Sequence, residues 1–187
     1  MMDEIKKIVE VLQAGGIILY PTDTVWGIGC DATNAEAVQK IYQLKQRSDS
    51  KSMLLLTDSM AKVQAYVTDV PDVVWDLVEC ADKPLTIIYP EGRNVATNLL
   101  ASDGSIGIRI TNETFSKQLC MRFKKPIVST SANISGEPTP AFFAEISVAI
   151  KNGVDYVVQA RQDDYEKKSP SSIIKFEKNG TFVLLRP

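Results

Sequence analysis

The sequence predicts an α/β fold in which helices cover a sheet of mixed strand direction. Short apolar runs alternate with amphipathic helical patterns through most of the 187 residues, the pattern expected of a covered sheet. Strand-like runs then gather at the C-terminal end, which argues against a purely parallel arrangement. With 44% hydrophobic content and no repeat, low-complexity tract or linker, residues 1–187 read as one domain around one core.

The elements follow in order. Residues 4–14 place Ile5, Ile8, Val9, Val11 and Leu12 at helical spacing, and Gly15-Gly16 stops them. Ile17 to Tyr20 is a buried strand ending at Pro21, and Pro21 to Asp31, rich in Thr, Gly and Asp, reads as a loop. Thr33 and Glu36 have capping-box spacing and open a helix with Val38, Ile41 and Tyr42 inward. Met53 to Leu56 is a strand, with helices near 58–66 and 71–80 and a strand at 84–89. A strand near 105–110 precedes a helix from Glu113 to Phe123 and a strand at 126–130. A helix at 140–151 and strands near 154–158, 171–176 and 181–185 complete the chain.

Composition removes several function classes. Histidine is absent, which excludes Ser-His and Cys-His nucleophiles, the common zinc sites and imidazole bases. Chemistry must then rest on carboxylates, hydroxyls, cations, backbone groups or the substrate itself, which favours transfer at phosphorus driven by positioning and charge. Cys30, Cys80 and Cys120 form no C-x-x-C pair and read as small buried hydrophobes rather than metal or redox sites, and no resident metal is expected. A net charge of −2 is unlike a broad nucleic-acid-binding surface. No apolar run suits a membrane span and the N-terminus lacks a signal-peptide pattern, so a cytoplasmic location is expected.

Four hydroxyl-rich segments flank predicted strands, where open α/β sheets place ligand crevices. Pro21 to Gly29 (PTDTVWGIG) offers two hydroxyls, a carboxylate and two glycines, and reads equally as a turn. Lys45-Gln46-Arg47-Ser48-Asp49-Ser50-Lys51 suits a triphosphate, although alone it reads as a solvated helix end. In Ile127 to Gly136 an apolar strand runs into four hydroxyls and an amide within seven residues, more than helix capping requires. Ser169-Pro170-Ser171-Ser172-Ile173-Ile174, paired with the terminal Arg186-Pro187, reads as a site or as an ordinary loop leading into a strand. No Walker or dinucleotide-binding glycine pattern is present.

In this order the four segments resemble the YrdC family, the threonylcarbamoyl-AMP synthases, whose motifs run P-T-[D/E]-T-x-[Y/W]-G-[L/I]-G, K-x-R-x-x-x-K, S-A-N-x-S-G, P-S-[S/T]-[V/I]-[V/I] and a terminal R-P, over nearly the whole chain. The resemblance implies a twisted open mixed sheet with a deep, electropositive central cavity. It also implies a nucleotidyltransferase reaction, in which L-threonine, bicarbonate and ATP give L-threonylcarbamoyl-adenylate and pyrophosphate for tRNA threonylcarbamoyladenosine (t6A) modification. ATP contacts would fall on Lys45, Arg47, Lys51, Ser105, Ser131, Asn133, Thr139 and Arg186, with Lys45 and Arg47 the catalytic pair. Threonine contacts would fall on Thr24, Arg109, Ser129 and Ser171. Mg²⁺ would be held mainly through phosphates, and partner proteins of tRNA modification would receive the product. The family's W-P-G-P-L-T-like stretch is replaced by Ala81-Asp82-Lys83-Pro84-Leu85-Thr86, which keeps a YciO-like paralogue without synthase activity as an alternative. An RNA-binding module for double-stranded RNA or tRNA is a second alternative. Ending at Pro187, the sequence is expected to lack the extra C-terminal domain of longer relatives.

Overall fold

The computed structural model describes residues 1–47 and 53–187. Its strands are β1 (Ile18–Tyr20), β2 (Gly27–Gly29), β3 (Leu54–Thr57), β4 (Leu85–Tyr89), β5 (Ile106–Ile110), β6 (Ile127–Ser131), β7 (Tyr156–Val157), β8 (Ser172–Phe176) and β9 (Phe182–Arg186). They form one sheet in the order β7-β1-β2-β6-β3-β5-β4-β8-β9. The β1–β7, β3–β5 and β4–β8 pairs are parallel and the others antiparallel. The C-terminal strands divide between the two edges of the sheet: β7 closes one edge while β8 and β9, paired antiparallel, form the other.

The helices are α1 (Met2–Gln13), α2 (Ala35–Leu44), α3 (Met60–Tyr66), α4 (Asp72–Glu79), α5 (Thr114–Phe123) and α6 (Val148–Gly153). Helix α1 buries Ile5, Ile8 and Leu12 and packs against α5. It ends where Gly15 turns at φ 75° and donates to Leu12 O, a conformation that favours glycine. Helix α2 buries the predicted Val38, Ile41 and Tyr42, and Ala37 with them. Its cap is Asn34, whose Oδ1 accepts from Glu36 N and Ala37 N. Thr33 instead donates its hydroxyl to Asp31 Oδ1 at 2.7 Å, because an amide one position later already satisfies the helix start. Helix α5 is capped by the Glu113 carboxylate, which accepts from Phe115 N and Ser116 N.

Two elements differ from the sequence expectation. Within the loop expected at 21–31, Gly27–Gly29 forms β2, paired antiparallel with both β1 and β6. A three-residue strand with glycine at both ends shows no period, and its neighbours define it. The helix expected at 140–151 is a 3₁₀ turn at Phe143–Glu145 followed by the short α6. Ser147 starts α6 by accepting from Ile150 N, while Phe143 packs its ring 4.8 Å from Trp26 instead of continuing a helix. Among the described residues no helix is long and apolar enough to cross a membrane.

Candidate functional site

The segment between β1 and β2 projects from the sheet and is shaped by its own hydroxyls. Thr22 Oγ1 donates to Val25 O at 2.7 Å and accepts from Thr24 N at 3.1 Å, a short-range turn of the kind threonine supplies. Antiparallel pairing sets Gly27 opposite Ser131, so this turn lies beside the end of β6. A Cβ on Gly27 would stand 3.2 Å from Ser129 Oγ and 3.4 Å from the Thr22 methyl, so glycine leaves room for both hydroxyl-bearing residues.

A cavity of about 420 Å³ opens here. Thr24, Arg47, Arg109, Ser129, Ser131, Thr139, Ser171 and Arg186 all line it, so the structure gathers eight of the twelve sequence-assigned residues from six separate parts of the chain. Its described lining holds five cations, Arg47, Arg109, Lys167, Lys168 and Arg186, and no carboxylate. Such a wall concentrates positive potential where water is partly excluded.

Arg109 stands near the end of β5, paired with Leu56 on one side and Thr86 on the other. It is 3% exposed. Its Nη2 donates to Thr24 Oγ1 at 3.2 Å and lies 2.9 Å from Asp23 Oδ1. The Asp23 contact is an ion pair without hydrogen-bond alignment, and Arg109 Nε is buried with no hydrogen-bond partner. Burial raises the Asp23 carboxyl above its ordinary range, against the opposing pull of Arg109. Ser171 is buried and exchanges a 2.8 Å hydrogen bond with Thr86 Oγ1. Arg186 donates from Nε to Ser171 O at 2.7 Å and from Nη2 to Ser171 Oγ at 3.2 Å, which ties the terminal strand to the cavity rim.

Lys45, assigned from sequence to ATP, does not line the cavity. It is 1% exposed, and its Nζ donates to Ser131 O and Asn133 O, each at 2.5 Å. Its own carbonyl accepts from Ser135 N at 2.8 Å. Lys45 therefore staples the loop that leaves β6, and burial together with the charge of Arg47 lowers its ammonium to about 8. Arg47, two residues on, does reach the cavity. Asn133 is also turned to its own loop, donating from Nδ2 to Ile134 O and Glu137 O. Ser105 sits at the opposite end of β5 from Arg109, with its N–H on Asp103 Oδ1, about 13 Å of strand away. Lys51 lies outside the described residues.

Sequence reasoning passed over Lys167 and Lys168, which border the cavity just before Ser169-Pro170-Ser171, and Arg161, which anchors their segment. Adjacency to that motif was the available signal, but a lysine pair in a polar stretch resembles any solvated loop. The Ala81–Thr86 segment divides. Thr86 supports Ser171, while Ala81 to Leu85 line a separate cavity of about 150 Å³ that Asp23 also borders.

Comparison with known proteins bears on the family and the fold. The family of Sua5, YciO and YrdC proteins, described as telomere recombination, matches residues 10–187. A threonylcarbamoyl-AMP synthase of Pseudoalteromonas translucida is 36% identical over 79% of this chain and 80% of its own. The Vibrio parahaemolyticus protein of the same name is 30% identical over 90% of this chain and 92% of its own. Among solved structures, E. coli YciO superposes with a TM-score of 0.85 at 25% identity, covering 100% of this chain and 89% of that one. P. abyssi Sua5 complexed with L-threonine gives a TM-score of 0.85 at 22% identity, covering 98% of this chain but only 53% of that protein, about half its length. The chain belongs to the Sua5–YciO–YrdC family.

Proposed function

We propose that this chain is a threonylcarbamoyl-AMP synthase, a nucleotidyltransferase that makes L-threonylcarbamoyl-adenylate for the first step of t6A modification of tRNA. The observation that carries the reading is the shared cavity, in which a buried arginine shares the wall with Thr24, Ser129 and Ser171 and with four further cations, and no carboxylate lines it among the described residues. Relatives named threonylcarbamoyl-AMP synthase, matched over most of their length, support it.

The Arg109 guanidinium takes the threonine carboxylate, since it lines the cavity and, among the described residues, its Nε has no hydrogen-bond partner. The threonine amine joins bicarbonate with loss of water, giving a carbamate. A carbamate oxygen attacks the α-phosphorus of ATP, and the bond to the bridging oxygen breaks to release pyrophosphate. Arg47 and Arg186 stabilise charge on the phosphates as the leaving group separates. Lys45 acts by fixing the backbone of Ser131 and Asn133. The described lining offers hydroxyls but no carboxylate, so Mg²⁺ would enter with the nucleotide and keep phosphate and water ligands. The product passes to partner proteins of tRNA modification in the cytoplasm.

The test is pyrophosphate release from Mg-ATP with and without L-threonine and bicarbonate. Release that needs both supports the synthase. ATP binding without release would favour a YciO-like paralogue, a reading supported by the full-length match to E. coli YciO.

A further inference from the structure

We infer that Lys167 and Lys168 are polyphosphate-binding residues of the cavity, held in place by Arg161; the inference rests on the synthase reading only for the identity of the nucleotide. Both lysines line the cavity, on a segment distant in sequence from Arg47 and Arg109. A polyanion lying in the cavity would then have cations on more than one wall, from the sheet and from the segment that leads into β8.

The anchoring of that segment is uneven. Its first half is fixed by Arg161, itself at φ 62°. The Arg161 guanidinium donates to Thr22 O at 3.1 Å, pairs with the Asp164 carboxylate at 2.7 Å and lies 3.2 Å from Glu113 Oε1. One side chain thus joins the segment to the hydroxyl turn before β2 and to the cap of α5. Tyr165 adds a ring contact with Phe142 at 5.6 Å. The second half, carrying both lysines, is placed differently. Lys168 pairs with Glu166, and Glu166 N is held by Asp164 Oδ1 at 2.9 Å. Arg161 therefore sets Asp164, Asp164 sets Glu166, and Glu166 restrains Lys168 beside the cavity. Lysine suits this task as a mobile point charge on a long stem, able to follow a phosphate group as it leaves.

The experiment measures dissociation constants of full-length wild type, Lys167→Ala, Lys168→Ala, the double variant and Arg161→Ala for ATP, ADP and AMP by calorimetry. ATP affinity is expected to fall about tenfold per lysine removed, as for loss of one charge-assisted phosphate contact. ADP should lose less and AMP should be unchanged. Arg161→Ala should weaken ATP as the double lysine variant does and add nothing in that background, while Lys168→Arg should retain affinity. Unchanged ATP affinity in the double variant overturns the inference. So does equal weakening for ATP and AMP, the signature of a merely structural role. A graded loss without threonine-dependent pyrophosphate release by wild type would leave this inference standing and remove the synthase reading. Turnover by wild type without the graded loss would remove this inference alone. If wild type binds none of the three nucleotides, both fall.

Discussion

Arg109 Nη2 lies 2.9 Å from Asp23 Oδ1 and 3.2 Å from Thr24 Oγ1, so a residue from the middle of the sheet and two adjacent residues of the β1–β2 turn share one buried charge. The pair explains how an arginine survives at 3% exposure: an isolated buried charge is costly, and a carboxylate offsets part of that cost. Arg109→Lys keeps the charge but loses the planar fork. It should raise the KM for L-threonine about 10- to 100-fold, the loss of one or two charged hydrogen bonds, with a smaller change for ATP. Equal loss for both substrates in steady-state kinetics would contradict that division of the cavity. Asp23→Ala should instead destabilise the fold by about 3 kcal/mol, because it strands the guanidinium, and urea unfolding would register it.

The lowered ammonium of Lys45 gives a pH signature. Between its folded value near 8 and the ordinary value of 10.5, the unfolded chain binds the proton more tightly, so this group adds stability as pH rises through that window. Wild type should gain about 1–3 kcal/mol relative to Lys45→Met between pH 7.5 and pH 10. Urea midpoints at the two pH values measure the difference, since other titrating groups are common to both proteins. A constant difference would mean that the two carbonyl bonds, rather than burial, dominate the lysine.

Gly29 and Gly27 should separate fold from site. A Cβ on Gly29 would stand 2.6 Å from Val128 O and 2.7 Å from the Tyr20 ring, a collision with backbone and a packed aromatic. Gly29→Ala is expected to cost about 1–3 kcal/mol, or about 2–12 °C in Tm at this chain length. On Gly27 the nearest atom would be the Ser129 hydroxyl at 3.2 Å, which can turn aside. Gly27→Ala should melt near wild type yet lose turnover, because Ser129 and Thr22 are displaced at the cavity wall. Thermal unfolding and pyrophosphate release together check the contrast.

Ser171 couples β4, β8 and β9 at the rim through Thr86 and Arg186. Ser171→Ala leaves Thr86 Oγ1, itself buried, without that partner and should cost about 1–2 kcal/mol. Arg186→Ala removes an exposed residue. It should barely move Tm while lowering activity, and a drop in Tm comparable to that of Ser171→Ala would assign it to structure instead.

The sequence by itself determined the α/β class, the apolar stripes of α1 and α2, and the hydroxyl-rich motifs, because periodicity and composition are local and apolar burial enforces them. Ile5, Ile8 and Leu12 face the core for the reason their spacing announces. It also determined that the chemistry has no histidine. The tertiary structure decided the rest. Strand β2 exists because β1 and β6 flank it, and the helix start lies at Asn34 rather than Thr33, with the threonine engaged by Asp31. The same cation-rich motif sent Arg47 to the cavity and Lys45 to two backbone carbonyls, a division that residue type cannot express. Lys167 and Lys168 border the cavity on a segment whose Arg161 reaches back to Thr22 and Glu113, contacts that no local pattern announces. A charge's role depends on which distant backbone and carboxylates the fold brings to it, and that information lies in long-range pairing rather than in neighbouring residues.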